Sequence, residues 1–178
     1  MIDKSLLSGT SILSEINGES LEEIARKCEV LECEPQHTVF RQEESATKLF
    51  GLLAGEIELV FMFKDRVLKT DIEYEESILS KYEILERPLV IDTVGPGEVF
   101  GWSSLVVPHG RWTATARCSK RSRLFFVDAD HLRSMFDRNP ALGYLFMTRL
   151  GGIMSQRLEQ WTAKLIEAWG QAFEVHEL

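Results

Sequence analysis

The sequence predicts an α+β fold, mainly β: a β-roll of the jelly-roll (double-stranded β-helix) kind, with an N-terminal helix and a long C-terminal helix. Three observations carry this. Apolar residues recur at helical spacing near both ends of the chain. Between them lie many short β-prone runs separated by turn residues, several of which alternate apolar and polar side chains. At 178 residues and 44% hydrophobic content, the chain suits one domain with a core of its own. The expected organisation is a single domain over 1–178, with a helix at 11–28, a roll at 29–127 and C-terminal helices at 128–178.

Over Ser11–Cys28, Leu13, Ile16, Leu21, Ile24 and Ala25 form an apolar stripe, and a turn is expected at Gly18. Ser20 followed by Glu23 is a capping-box pattern, which places the start of the main helix near Leu21. Strands are expected at Glu29–Glu34, Thr38–Arg41, Leu49–Ala54, Glu56–Phe63, Leu89–Val94, Arg111–Cys118 and Leu124–Val127. Many short strands at close spacing favour a sandwich or roll. The insertion Lys64–Arg87, KDRVLKTDIEYEESILSKYEILER, is too long for a tight hairpin loop. Its Ile72, Tyr74, Ile78, Leu79, Tyr82, Ile84 and Leu85 predict order, as strand or as helix. Asp128–Arg138 reads as a short helix, and Asn139-Pro140 opens another that runs to about Phe173. Gly143, Gly151 and Gly152 weaken that helix or permit close packing. Along it, Leu150, Met154, Leu158, Trp161, Leu165, Ala168 and Ala172 recur by threes and fours, a coiled-coil-like seam. A homodimer through this seam is the expectation, packing on the roll being the other reading.

A net charge of −8 argues against non-specific binding to nucleic acid or anionic membranes. The longest apolar run, around Leu52–Phe63, is broken by Gly55, Glu56 and Glu58, so no membrane span is expected. The N-terminus, MIDKSLLSGTSIL, lacks a secretory apolar region. Cys28, Cys33 and Cys118 have no metal-type spacing and leave one thiol over in any pairing, which fits a reduced, cytoplasmic protein. His37, His109, His131 and His176 stand singly, so neither a metal site nor a cupin-type enzyme is expected. No nucleophile elbow or Cys–His arrangement stands out, and the expectation is no enzyme and no required cofactor.

The most informative stretch is GPGEVFGWSSLVVPHGRWTATA, Gly95–Ala116. Its Gly95-x-Gly97-x-x-x-Gly101 spacing has the wrong gap for a dinucleotide fingerprint and carries Pro96 inside it. A Phe-Gly start, a spaced arginine and an alternating strand, followed by a short and then a long helix, resemble the phosphate-binding cassette and hinge of the cyclic-nucleotide-binding domain family. VFRQEESATKLFGLLAGEIELV resembles that family's early strand pair, with Gly55 at its glycine and Glu43 where the family usually has glycine. The resemblance covers about Ile12 to Trp161 and implies a cyclic-nucleotide-binding-type β-roll.

By that resemblance, the ligand site comprises Gly101, Trp102, Ser103, Ser104, Arg111 and Trp112. A helix turn after Phe100-Gly101 would offer backbone N–H groups through Ser103 and Ser104. Arg111 would face the phosphate, and Trp112 would add a backbone N–H. Trp102 stands where the family has a glutamate for the ribose, and an indole accepts no hydrogen bond. Trp102 therefore either plugs the roll or offers a stacking platform. The other reading makes the serines only caps of a helix turn and Arg111 a brace for an acidic neighbour such as Glu98.

Two functions follow as expectations. The first is a regulatory sensor that binds cyclic AMP, cyclic GMP or another small anion and signals through its C-terminal helix. The second is a degenerate, dimeric protein-interaction module without a small ligand. Relatives often carry a helix-turn-helix after the long helix. With only Glu174–Leu178 beyond Phe173, no DNA-binding domain and no direct nucleic-acid contact are expected, and output would pass to an unknown protein partner or through dimer geometry.

Overall fold

The computed structural model describes residues 3–16, 18–74, 77–107 and 109–174, with side chains described outside 67–83 and 171–174. The chain opens with two helices, α1 (Lys4–Ser8) and α2 (Gly18–Lys27), instead of one helix over 11–28. Leu13 and Ile16 recur by three because the segment between the helices is a series of tight turns. Leu13 N–H donates to Thr10 O at 3.1 Å and Ile16 N–H to Leu13 O at 3.0 Å, each spanning three residues instead of four. Both side chains are buried, as an apolar stripe requires, but on a turn scaffold. Gly18, at φ 62°, begins α2, so Ser20 sits inside the first turn and not at its cap.

Among the described residues eight strands follow: β1 (Glu29–Cys33), β2 (Thr38–Phe40), β3 (Lys48–Ala54), β4 (Ile57–Tyr74), β5 (Ser77–Val94), β6 (Val99–Phe100), β7 (Thr115–Cys118) and β8 (Ser122–Asp128). They form two four-stranded antiparallel sheets, in the orders β1-β8-β3-β6 and β2-β7-β4-β5. Period-two alternation sorts the apolar side chains. Phe50, Leu52, Phe100 and Leu124 of the first sheet meet Phe40, Ile57, Leu59 and Ala116 of the second in one buried cluster. Leu49, Val99, Phe125 and Val127 project from the other face of the first sheet. There they join Ile24 of α2 and residues of α4 (Ala129–Arg138) and α5 (Pro140–Glu174), including Leu132, Phe146 and Leu150. Helices at both ends of the chain therefore flank the β core.

The insertion at 64–87 is strand throughout its described backbone. β4 and β5 pair from Ile57↔Val94 out to Tyr74↔Ser77, whereas β7 pairs only with Ile57–Val60. From Phe61 outward the sheet thus narrows to a two-stranded ribbon. Pro88 is tolerated because β5 is the edge strand. Lys64–Glu86 and Arg87–Asp65 ion pairs lie along it at 3.9 and 3.7 Å, exposed and worth little. The side chains of Ile72, Tyr74, Ile78, Leu79, Tyr82, Ala172 and Phe173, and all of His176, lie outside the described residues.

Helix starts follow the sequence signals in the C-terminal third. Asp128 caps α4 by accepting from Asp130 N–H at 2.9 Å, and Asn139 accepts from Leu142 N–H at 3.2 Å beside Pro140 at the head of α5. All three cysteines are free and buried. Burial pushes the Cys28 thiol up to about 12 and the Cys33 thiol up to about 11, which keeps them protonated and unreactive. Among the described residues no helix is long and apolar enough to cross a membrane, and no group of three His, Cys, Asp or Glu could hold a metal ion.

Candidate functional site

β6 ends where the chain must turn sharply beneath α5, and Gly101 makes the turn at φ 75°. A Cβ there would stand 3.1 Å from the Phe50 ring, 3.3 Å from Lys48 O and 3.4 Å from Trp112 Nε1. Only glycine fits both the dihedral and the space. The chain then enters a single helical turn, α3 (Ser103–Val106).

Between this turn, the sheet residues around it and α5 lies a cavity of about 530 Å³. One wall is aromatic: Phe40, Phe100 and Trp112, with Phe40 and Trp112 stacked at 4.2 Å between centroids and 13° between planes. Leu59, Ile91, Thr113 and Ala114 continue it. The opposite wall is one face of α5: Gly151, Met154, Ser155, Arg157, Leu158 and Trp161. Gly101, Trp102 and Ser103 close the end.

Arg157 is the charged residue of the lining. It is only 6% exposed although it lies on a helix whose neighbours Gln156 and Leu158 face solvent. Its Nη2 donates to Val99 O at 3.3 Å, and its guanidinium lies 3.4 Å from Asp92 and 3.8 Å from Glu98. Trp102 lays its ring against this guanidinium, 4.9 Å from Cζ to centroid. The tryptophan is thereby held at the wall, and the cavity stays open beside it.

The residues expected at the site are divided by the fold. Gly101, Trp102, Ser103 and Trp112 line the cavity. Ser104 is buried and turned away: its N–H and hydroxyl both donate to Gly101 O, at 3.4 and 3.0 Å, so it ties the helical turn. The Trp112 backbone N–H is engaged by Glu44 O at 3.0 Å, so its contribution to the cavity is its ring. Arg111 is exposed and outside the lining, and its Nη1 donates to Glu43 O at 2.6 Å. It does not brace Glu98, whose carboxylate accepts from Gly95 N–H at 2.6 Å. Glu43 holds a left-handed φ of 67°, which accounts physically for a family preference for glycine at that position. Arg133 of α4 donates to Ser104 O and so joins the helical turn to the hinge helix.

Sequence reasoning missed Arg157. Met154, Arg157, Leu158 and Trp161 recur at i, i+3, i+4 and i+7 and share one helix face. A lone cation inside an apolar stripe was the available signal. The same stripe does two things: Leu150 and Met154 pack toward the β core, while Leu158 and Leu165 are 64% and 53% exposed.

A family model described as the cyclic nucleotide-binding domain matches residues 30–139. Among solved structures, a candidate cyclic nucleotide-binding protein from Geobacter metallireducens is similar at 26% identity, over 89% of this chain and 99% of that one, with a TM-score of 0.67. A cyclic nucleotide-binding domain from Methylobacillus flagellatus is similar at 16% identity over 92% and 84% of the chains, TM-score 0.64. The sensor domain of the transcriptional regulator DNR from Pseudomonas aeruginosa is similar at 17% identity over 88% and 91%, TM-score 0.61. The last two likenesses concern the fold alone. No curated protein shows significant similarity to the chain.

Proposed function

Because the chain belongs to the cyclic nucleotide-binding domain family, we propose that it takes a cyclic nucleotide or another small anionic ligand in the cavity between residues 95–116 and α5. It is a non-enzymatic regulatory domain of that family. The single observation that carries the ligand reading is that Trp102 does not fill the cavity: it is parked on Arg157, and about 530 Å³ remain. That volume is in the range of small-molecule sites. Within this reading the domain is one unit over 1–178, its two sheets act as the family's β-roll, and Gly101, Trp102, Ser103 and Trp112 touch the ligand while Ser104 holds the turn. Arg111 joins them by exchanging the Glu43 carbonyl for the ligand anion. A ligand drawing the 101–104 turn toward the sheets would move α4 through the Arg133–Ser104 bond and shift the population of α5 orientations.

The test is isothermal titration calorimetry with cyclic AMP and cyclic GMP at near-millimolar ligand. Saturable micromolar binding, with the nucleotide's thermal stabilisation lost in Arg111→Ala while the free protein keeps its Tm, is the result expected of a nucleotide sensor. Unchanged stabilisation by nucleotide in that variant would remove Arg111 from the site. Absence of heat with both would turn the reading to a different anion.

α5 also carries Leu158, Leu165, Ile166 and Trp169 exposed. We assign these to a homodimer seam, since two-stranded helical packing buries apolar residues at such spacing. Sedimentation velocity is expected to show a dimer that Leu165→Asp converts to monomer. A wild-type monomer at tens of micromolar would end this assignment.

A further inference from the structure

We propose that the cavity's ligand is a flat hydrophobic acid, an aryl carboxylate, and that Arg157 is the residue that receives its charge. This deepens the small-ligand reading above and rests on it.

Three observations point to that class. The first is the character of the lining: among the described residues no Asp, Glu, Asn or Gln belongs to it, and its polar side chains beyond Arg157 and the tryptophans are hydroxyls. A polyhydroxylated sugar needs strong acceptors and finds none, whereas a carboxylate needs only donors. The second is a set of orphaned donors. Trp112 Nε1, Trp161 Nε1 and Arg157 Nη1 are all buried without a hydrogen-bond partner, and all three residues belong to the lining. Trp112 and Arg157 are themselves more than nine-tenths buried. Such groups are rare and carry a penalty, and an acceptor that draws these N–H groups toward the cavity relieves it. The Asp92 ion pair does not do so, because at 3.4 Å it is not aligned as a hydrogen bond with Nη1. The third is shape: aromatic rings on both walls, Trp112 on the sheet side and Trp161 on α5, suit a planar body that stacks.

The position of the cation matters too. Arg157 lies inside the cavity, while Arg111 lies outside its lining. An acid held by Arg157 bonds directly to α5, so its charge acts on the helix as well as beside the 101–104 turn, whose Trp102 lies on that guanidinium.

The test compares 2-naphthoate, its neutral isostere 2-naphthamide, cyclic AMP and cyclic GMP against the full chain, by calorimetry and by quenching of tryptophan fluorescence. Saturable binding of the naphthoate, at least about tenfold tighter than the amide, is expected from a charge-assisted contact. Trp161→Phe keeps an aromatic face and deletes the donor, and is expected to weaken the naphthoate several-fold more than the amide. Changing the ligand's charge keeps the proposal testable if Arg157 variants fold poorly. Equal binding of acid and amide would overturn it while leaving the cavity a small-ligand site. Binding of a cyclic nucleotide without the naphthoate would overturn it and uphold the nucleotide reading. Binding of nothing would end both.

Discussion

Gly55→Ala is expected to destabilise the protein by about 3 kcal/mol or more, the combined cost of a forced left-handed backbone and core overpacking. Gly55 joins β3 to β4 and so carries the chain from one sheet to the other. It does this at φ 95°, with the backbone of β8's start pressed against it. A Cβ would lie 2.3 Å from Ser122 Oγ, 2.5 Å from Arg121 O and 2.6 Å from Ser122 Cα. Two of those three neighbours are backbone, which cannot move aside as a flexible side chain can. Ser122 is also committed, since its hydroxyl accepts from Glu56 N–H at 3.1 Å and donates to Lys120 O at 2.8 Å. Displacing it breaks the corner that holds the sheets together. At roughly 2–4 °C per kcal/mol for a chain of this size, thermal unfolding followed by circular dichroism should show a Tm lower by about 6–12 °C. Gly152→Ala is the control, because a Cβ there meets open space and the position is helical, so stability should hold or rise slightly. A Gly55→Ala shift under about 2 °C would mean that the corner relaxes in a way the packing does not allow.

The second large effect lies at Arg157. Arg157→Met removes the nearest cation from Asp92, a carboxylate only 9% exposed, and breaking a buried pair from one side costs about 3–5 kcal/mol. Lys164, 3.9 Å from the other Asp92 oxygen and largely exposed, offsets little of this. The double variant Asp92→Asn, Arg157→Met removes both charges and should recover most of the loss. A double-mutant cycle by urea unfolding is expected to give a coupling of about 2 kcal/mol, and strict additivity would show that the two charges do not stabilise one another. The arginine therefore has a structural part, tying α5 to β5 and β6, besides any part in ligand binding.

How far the sequence foretold this depends on which forces act locally. Short apolar runs such as Leu49–Ala54 and Leu124–Val127 became strands, and the alternation of Glu56-Ile57-Glu58-Leu59 turned Ile57 and Leu59 inward, because such patterns are written in adjacent residues. The Lys64–Arg87 segment defeated the choice between strand and helix: apolar and charged residues mix there with no single period, and antiparallel pairing between its own two halves decided it. The turns at 9–16 imitated a helix because bonds three residues apart repeat almost as a helix does. At the site, Gly101, Trp102 and Ser103 were legible because they sit in one contiguous stretch. Arg157 was not, since its role arises only when α5 folds back across β6 and meets Asp92 of β5, residues far apart in sequence. The exposed position of Arg111 is likewise a matter of packing and not of spacing.

The length of α5 has a mechanical consequence. At 1.5 Å per residue, its 35 residues form a rod of about 50 Å that begins just after the break between helices at Asn139. The cavity wall, from Gly151 to Trp161, begins about one third of the way along. An object seated there works on the short arm of a lever. A displacement of about 1 Å at Gly151 becomes about 3 Å at the far end by similar triangles, if the rod turns as a unit. On the proposed sensor reading, a closure of about 1 Å around a small molecule would be converted into a movement of about 3 Å at the end of the rod.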